Sequence, residues 1–346
     1  MATMAEAKGG APAPAGEDDR GRWLRRAVSF SLVFVALSVL SAALPVALVV
    51  AAVVDVIGGR RLALTRAYLF LVWFLVAELM GLCVAFILWA ARPVIGARAY
   101  LAGNYALQAA WVQGLMGGMQ ALFGARIALE GVGAAAKGPL ILLVRHASSG
   151  DALLPISAVT GPLGLWPRYV LKEELRWDPC LDVVGHRVPN AFVRRGAGAG
   201  EAEKSAALAE GLGERDVVVL YPEGTRFSAR GRERRLAELE ARQDPLLERA
   251  RALEHTLPPH SGGVLALLER APGVDVAFLA HAGFDRVRTL GDLFRGALIG
   301  ARIEGELWRV PAAEIPADEA GRRAWLFDQW ARIDRWVAER GRSGAA

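Results

Sequence analysis

The sequence predicts an α/β fold: a mostly parallel central sheet flanked by helices, preceded by an N-terminal two-helix membrane hairpin. Three observations carry this expectation. Short apolar runs at 139–144, 216–221 and 274–280 have strand character, with helical segments between them at about 151–160, 201–213 and 230–256. Strands that alternate with helices bury their faces as a sheet covered by helices. Ahead of them, residues 27–54 hold no charged side chain, a run longer than the ~20 residues that cross a bilayer core. A second apolar run, Ala67 to Ala91, is interrupted only by Glu78.

Residues 1–22 are expected to form a disordered tail, since Ala, Gly, Pro and acidic residues recur there without period. Residues 23–99 form the hairpin, with Gly58-Gly59-Arg60-Arg61 as its turn. The first run is too long, and too quickly followed by the second, for a cleaved signal peptide. Arg20, Arg22, Arg25 and Arg26 precede it, and Arg92 and Arg98 follow the second run. Against Arg60, Arg61 and Arg66 in the turn, this balance favours cytoplasmic ends and a catalytic domain on that side. A hairpin dipping into one leaflet satisfies the same pattern. Pro45 is placed to kink the first helix, and Glu78, costly in lipid, reads as a polar contact inside the hairpin.

Residues 100–137 are expected to be interfacial or linking helices, although an ordinary packing helix fits Trp111 to Met119 as well. Residues 138–346 form the α/β domain, with a further strand pair in 297–309. Its last helix, Asp318 to Arg340, sets Trp325, Leu326, Trp330, Ile333 and Trp336 on one side.

Composition narrows the function. Cys83 and Cys180 are the only cysteines, which excludes a disulfide framework and a Cys-rich zinc site. No histidine pair has metal-ligand spacing, so no metal is expected. A net charge of +5 suits an anionic membrane surface or phosphorylated substrates better than a nucleic-acid groove.

Chemistry concentrates in two turns that follow apolar strands. Arg145-His146-Ala147-Ser148-Ser149-Gly150-Asp151 delivers an imidazole and, five positions on, a carboxylate able to orient it. Glu223-Gly224-Thr225-Arg226 offers a close backbone approach at Gly224, a hydroxyl and a planar guanidinium suited to phosphate. Either alone could be a surface turn with a salt bridge. Together, at strand ends where open α/β sheets bind ligands, they read as one site. Ser148 is a candidate nucleophile by position but reads better as a helix N-cap.

These residues resemble the glycerolipid acyltransferases of the 1-acylglycerol-3-phosphate acyltransferase type. The family's Asn-His-x-Ser-x-x-Asp is matched from Arg145 to Asp151 except at its first position, and its Glu-Gly-Thr-Arg at all of 223–226. Its Gly-x-x-Phe-Ile-x-Arg aligns with Pro189 to Arg195, keeping Phe192 and Arg195 and losing the glycine. Arg168-Tyr169-Val170-Leu171-Lys172-Glu173-Glu174-Leu175 is similar to another segment of the same enzymes, and His255 to Gly263 to a segment of the lysophospholipid-acylating branch. The fourth motif's proline is missing from 274–280.

The resemblance implies a membrane O-acyltransferase that moves a fatty acyl group to 1-acyl-sn-glycerol-3-phosphate and gives phosphatidic acid. It takes acyl-CoA or acyl carrier protein as co-substrate and needs no cofactor. His146 is the expected general base and Asp151 its partner. Glu223, Gly224, Thr225, Arg226, Arg195 and Lys172 are expected to bind the acceptor's phosphate, with Arg145, Arg194 and Ser148 as further candidates. Arg145 is expected either to lower the basicity of His146 or to add a phosphate contact. Other acceptors stay open: another lysophospholipid, a lyso-ornithine lipid or a glycan hydroxyl. A non-catalytic lipid-binding protein is the reading of another class. A soluble hydrolase lacks its Gly-x-Ser-x-Gly elbow.

Overall fold

A computed structural model describes residues 19–148, 150–193 and 199–343. All but the last few residues of the expected disordered tail lie outside them. Two long apolar helices lead: α1 (Asp19–Ile57) and α2 (Ala63–Phe123). Both are long and apolar enough to cross a membrane, and the apolar window of α1 is wholly unburied.

α2 is two arms. At Gly96 the backbone takes φ 78° and ψ 169°, a conformation that a side chain would resist, and the helix folds back. Trp73 Nε1 then donates to Gly114 O at 2.9 Å and Arg66 to Leu122 O, so the arms run antiparallel. The second arm buries Val112, Leu115, Met116, Met119 and Phe123. Val112, Met116, Met119 and Phe123 join the core beneath the sheet, which favours the packing-helix reading of this stretch. The sheet itself begins at β1 (Arg126–Glu130), ahead of residue 138 and inside the stretch expected to be helical.

The other strands are β2 (Leu140–Val144), β3 (Trp166–Lys172), β4 (Ala191–Val193), β5 (Asp216–Leu220), β6 (Asp275–Ala282) and β7 (Arg302–Val310). They form one seven-stranded sheet in the order β1-β7-β6-β2-β5-β3-β4. Every pairing is parallel except β6 with β7. β2 sits in the middle with all five side chains buried, as an unbroken Leu-Ile-Leu-Leu-Val run demands of a strand covered on both faces. Residues 297–309 hold one strand rather than a pair, because β7 pairs with β6 and β1 instead.

Leu140, Leu142 and Val144 face the second arm of α2, whereas Ile141 and Leu143 face the opposite layer. That layer includes α4 (Ala199–Ala206), α7 (Ser261–Arg270) and α9 (Glu319–Ser343). On α9, Leu326, Trp330, Ile333, Trp336 and Val337 enter the core, close to the expected stripe. Shorter helices complete the domain: α3 (Pro179–Gly185), α5 (Ala229–Ala241), α6 (Leu247–Arg251) and α8 (Leu290–Phe294). The expected helix at 151–160 is a 3-10 turn, Gly150–Leu153, followed by a π-helical turn, Ile156–Thr160.

The hairpin is docked on the domain by polar ties. Arg25 and Arg26 both pair with the buried Asp182 of α3, at 3.1 and 2.6 Å, and Arg25 also donates to Arg176 O. Glu78 is fully buried, but its partner lies outside the hairpin: Cys180 N donates to Oε2 at 3.0 Å, at the start of α3.

Candidate active site

β2, β3, β5 and β6 run in the same direction, so their carboxyl ends share one edge. Arg145 N still donates to Leu279 O at 3.2 Å, extending the β2–β6 pairing one step before the chain turns away. The next residue is His146. Its N–H donates to Glu223 Oε1 at 2.9 Å, and its carbonyl accepts from Phe227 N at 3.0 Å. The loop after β5 therefore grips the histidine backbone from both sides.

The ring is gripped as firmly. Nδ1 lies 3.0 Å from Asp151 Oδ1, and Asp151 Oδ2 accepts from Ala147 N at 2.6 Å and Ser148 N at 2.7 Å. Asp151 is fully buried. With Asp151 Oδ1 as the acceptor facing it, Nδ1 is the nitrogen that carries the N–H, which leaves Nε2 to present its lone pair. The His146 side chain is 12% exposed, whereas that of Asp151 is fully buried. Tyr221 packs its ring 4.9 Å from the imidazole and donates to Asp151 O at 3.3 Å, closing the other side.

The remaining expected site residues divide. Glu223 does not face a ligand: it is 1% exposed, and its second oxygen accepts from Leu257 N at 3.0 Å. Burial pushes its carboxyl up to about 8, against the Arg145 charge and the two N–H groups. Both of its oxygens are taken by backbone N–H groups, so Glu223 ties the 255–257 segment to His146. Gly224 takes φ +64°, and a Cβ there would meet the His260 ring at 3.4 Å. Thr225 and Arg226 are half-buried beside it, and Arg226 donates to Arg288 O at 2.9 Å, which spans the rim of the site. Lys172 ends β3 on the same edge. Arg194 and Arg195 lie outside the described residues. Arg168, at the far end of β3, pairs with Asp216 at 2.7 Å and is remote from the site.

Of the two roles expected of Arg145, the structure bears on the phosphate contact. The residue is 1% exposed and points inward, donating to His281 O at 2.8 Å, His255 O at 3.2 Å and Asp285 Oδ1 at 2.6 Å. No phosphate can reach it. His281 Nε2 answers with a 2.7 Å bond to Arg145 O, so the two residues clasp β2 to β6 just below the histidine. Ser148 is fully buried; it donates to Val287 O at 2.7 Å and accepts from Gly150 N, the first residue of the 3-10 turn, at 3.2 Å.

Sequence reasoning missed four participants: Asp285, His281, Tyr221 and Asp334. From α9, Asp334 Oδ1 accepts from His255 N (2.7 Å), Thr256 N (2.8 Å) and Thr256 Oγ1 (2.9 Å). The next N–H, of Leu257, holds Glu223, which holds His146. Such long-range partners leave no mark in local spacing. Among the described residues, no group of three or more His, Cys, Asp or Glu side chains is arranged to hold a metal ion.

Residues 126–294 match the protein-family model described as Acyltransferase. The matched region runs from β1 to α8 and contains His146, Asp151, the Glu223–Arg226 loop and Asp285. No curated protein sequence matches the chain. Among solved structures, the crystal structure of PlsC, the 1-acyl-sn-glycerophosphate (LPA) acyltransferase from Thermotoga maritima, is similar at 14% identity and a TM-score of 0.41. That match covers 75% of this chain and 97% of that one.

Proposed function

We propose, from the premise that residues 126–294 are an acyltransferase-family domain, that the chain is a membrane-bound enzyme acylating 1-acyl-sn-glycerol-3-phosphate. The observation that carries this reading is the His146–Asp151 pair at 3.0 Å, its carboxylate buried and fixed by two backbone N–H groups at the sheet's carboxyl edge. That is a general base with a set tautomer and an open nitrogen.

The acceptor hydroxyl gives its proton to His146 Nε2 as its oxygen attacks the thioester carbonyl. A C–O bond forms and the C–S bond breaks. The thiolate leaves with the proton that the imidazolium returns. Asp151 stabilises the imidazolium without taking its proton. With Ser148 buried and bonded to Val287 O, the acyl group passes directly, with no acyl-enzyme. Arg226 and Thr225 hold the acceptor's phosphate, helped by Lys172 and by Arg195.

The unburied apolar surfaces of α1 and of the first arm of α2 support mooring in a bilayer, where a lysolipid and an acyl chain are both already dissolved. An acceptor screen with radiolabelled acyl-CoA tests the reading. Label should enter phosphatidic acid when lysophosphatidic acid is supplied. Transfer to a neutral alcohol in preference to it would overturn the phosphate assignment.

A further inference from the structure

Outside α1, α2 and the turn between them, three large apolar side chains stand exposed among the described residues: Leu175 at 37%, Trp177 at 56% and Leu290 at 75%. Their placement is not scattered. Leu175 and Trp177 lie on the segment that leaves β3, and Leu290 on the segment that leaves β6. Both strands run parallel to β2, so both segments emerge on the edge that carries His146, one on either side of it.

Each segment is also tied to the hairpin. Arg25 of α1 donates to Arg176 O, next to Trp177. At the other flank, α8 packs on α2, where Gly296 lies against Ala63 at the hairpin turn. The same flank meets the site: Ser148 Oγ donates to Val287 O, and Arg226 to Arg288 O. Around Leu290 the exposed charges are mainly cationic, with Arg286, Arg288 and Arg295 against Asp292, which pairs with Arg295 at 2.9 Å. An apolar tip among arginines suits the headgroup layer of an anionic bilayer at the Leu290 flank; at the other flank Lys172 is outweighed by Glu173, Glu174 and Asp178, and Trp177 favours that layer for its apolar ring and polar N–H rather than for charge.

We propose that the segments leaving β3 and β6 are interfacial anchors. They seat the carboxyl edge of the sheet on an anionic lipid surface, with Trp177 and Leu290 entering the headgroup layer on opposite flanks of His146. This rests on the membrane acyltransferase reading above and adds to the hairpin a second contact that sets the tilt of the catalytic edge. The hairpin fixes the protein to the bilayer; the anchors fix how far a lysolipid must rise to reach Nε2.

The test compares two acceptors with the full-length protein in vesicles containing phosphatidylglycerol. One is a long-chain lysophosphatidic acid held in the bilayer, the other a short-chain analogue dissolved in water. Trp177→Ala combined with Leu290→Ala should lower kcat/KM at least about tenfold for the bilayer acceptor, since each loses the burial of one large apolar group. The dissolved acceptor should be used as before. Equal losses with both acceptors, or none with either, overturn the proposal. Independently, lipids brominated near the headgroup should quench the parent's tryptophan emission more than that of Trp177→Phe; equal quenching overturns it too. If the unaltered chain acylates neither acceptor, the enzymatic reading fails, and the quenching alone decides the anchors.

Discussion

Replacing Arg145 by Asn, the residue that the acyltransferase motif it resembles carries at this place, should destabilise the protein and leave its chemistry largely intact. The guanidinium makes three bonds: 2.8 Å to His281 O, 3.2 Å to His255 O and 2.6 Å to Asp285 Oδ1. Asparagine is too short to reach them. Each abandoned buried partner costs ~1–3 kcal/mol. The Asp285 side chain is 36% exposed, so water recovers much of its share, and we take the low end there. The sum is roughly 3 kcal/mol, which for a domain of this size lowers Tm by about 6–12 °C. Burial alone would raise the Asp285 carboxyl, but the Arg145 charge and hydrogen bond hold it below the usual range. A depressed carboxylate contributes stability above its unfolded pKa and loses it as pH falls through the folded one. The Arg145→Asn protein should therefore lose less Tm on acidification than its parent. Adding Asp285→Asn should recover about 1 kcal/mol, because no carboxylate is then left unpaired. Thermal unfolding of the three proteins in one detergent reads all of this. The turnover number of Arg145→Asn should fall less than about tenfold, as the bonds to His146 remain. A Tm within 2 °C of the parent, with ~2 °C being less than one bond's worth, would refute the clasp.

Three other perturbations test separate parts. Asp151→Asn cannot accept from Ala147 N, Ser148 N and the imidazole together, so kcat should drop by ~10²–10⁴ with KM little changed; steady-state kinetics check it. Glu223 titrates near 8 when folded and near 4.5 when unfolded, so the folded state keeps a proton that the unfolded one has lost. Stability should fall as pH rises between those values, and Glu223→Gln should flatten that slope at a cost of ~1–3 kcal/mol for the bond it cannot keep, both read from Tm against pH. Arg226→Ala should raise KM for a phosphorylated acceptor by roughly 10–100-fold and spare kcat, as kinetics with lysophosphatidic acid would show.

The central strands were legible because burial on both faces leaves no room for polar residues, and β2, β5 and β6 read as plain apolar runs. β1 and β3 were not, since Arg126, Glu130, Arg168 and Lys172 interrupt their patterns, and β4 is only three residues long. The fold-back of α2 was hidden for a different reason. Arg92, Pro93 and Arg98 end the apolar run around Gly96, but only the positive φ there shows that the chain doubles back on itself. At the site, the dyad was visible because a local loop joins His146 to Asp151. The destinations of Arg145 and Glu223 were not, because both side chains turn inward to partners 30 to 140 residues away. An acidic or basic residue in a motif shows that a charge is needed, and only the fold shows whether that charge faces substrate or backbone.

The central claim is that His146 takes the proton of the acceptor hydroxyl. Membranes carrying the parent or His146→Ala protein should be given acyl-CoA and lysophosphatidic acid, and phosphatidic acid followed over time. The parent should form it, and the variant should be slower by about 10³-fold or more, with equal protein in the membrane. Formation by the variant at a rate near the parent's would contradict the claim.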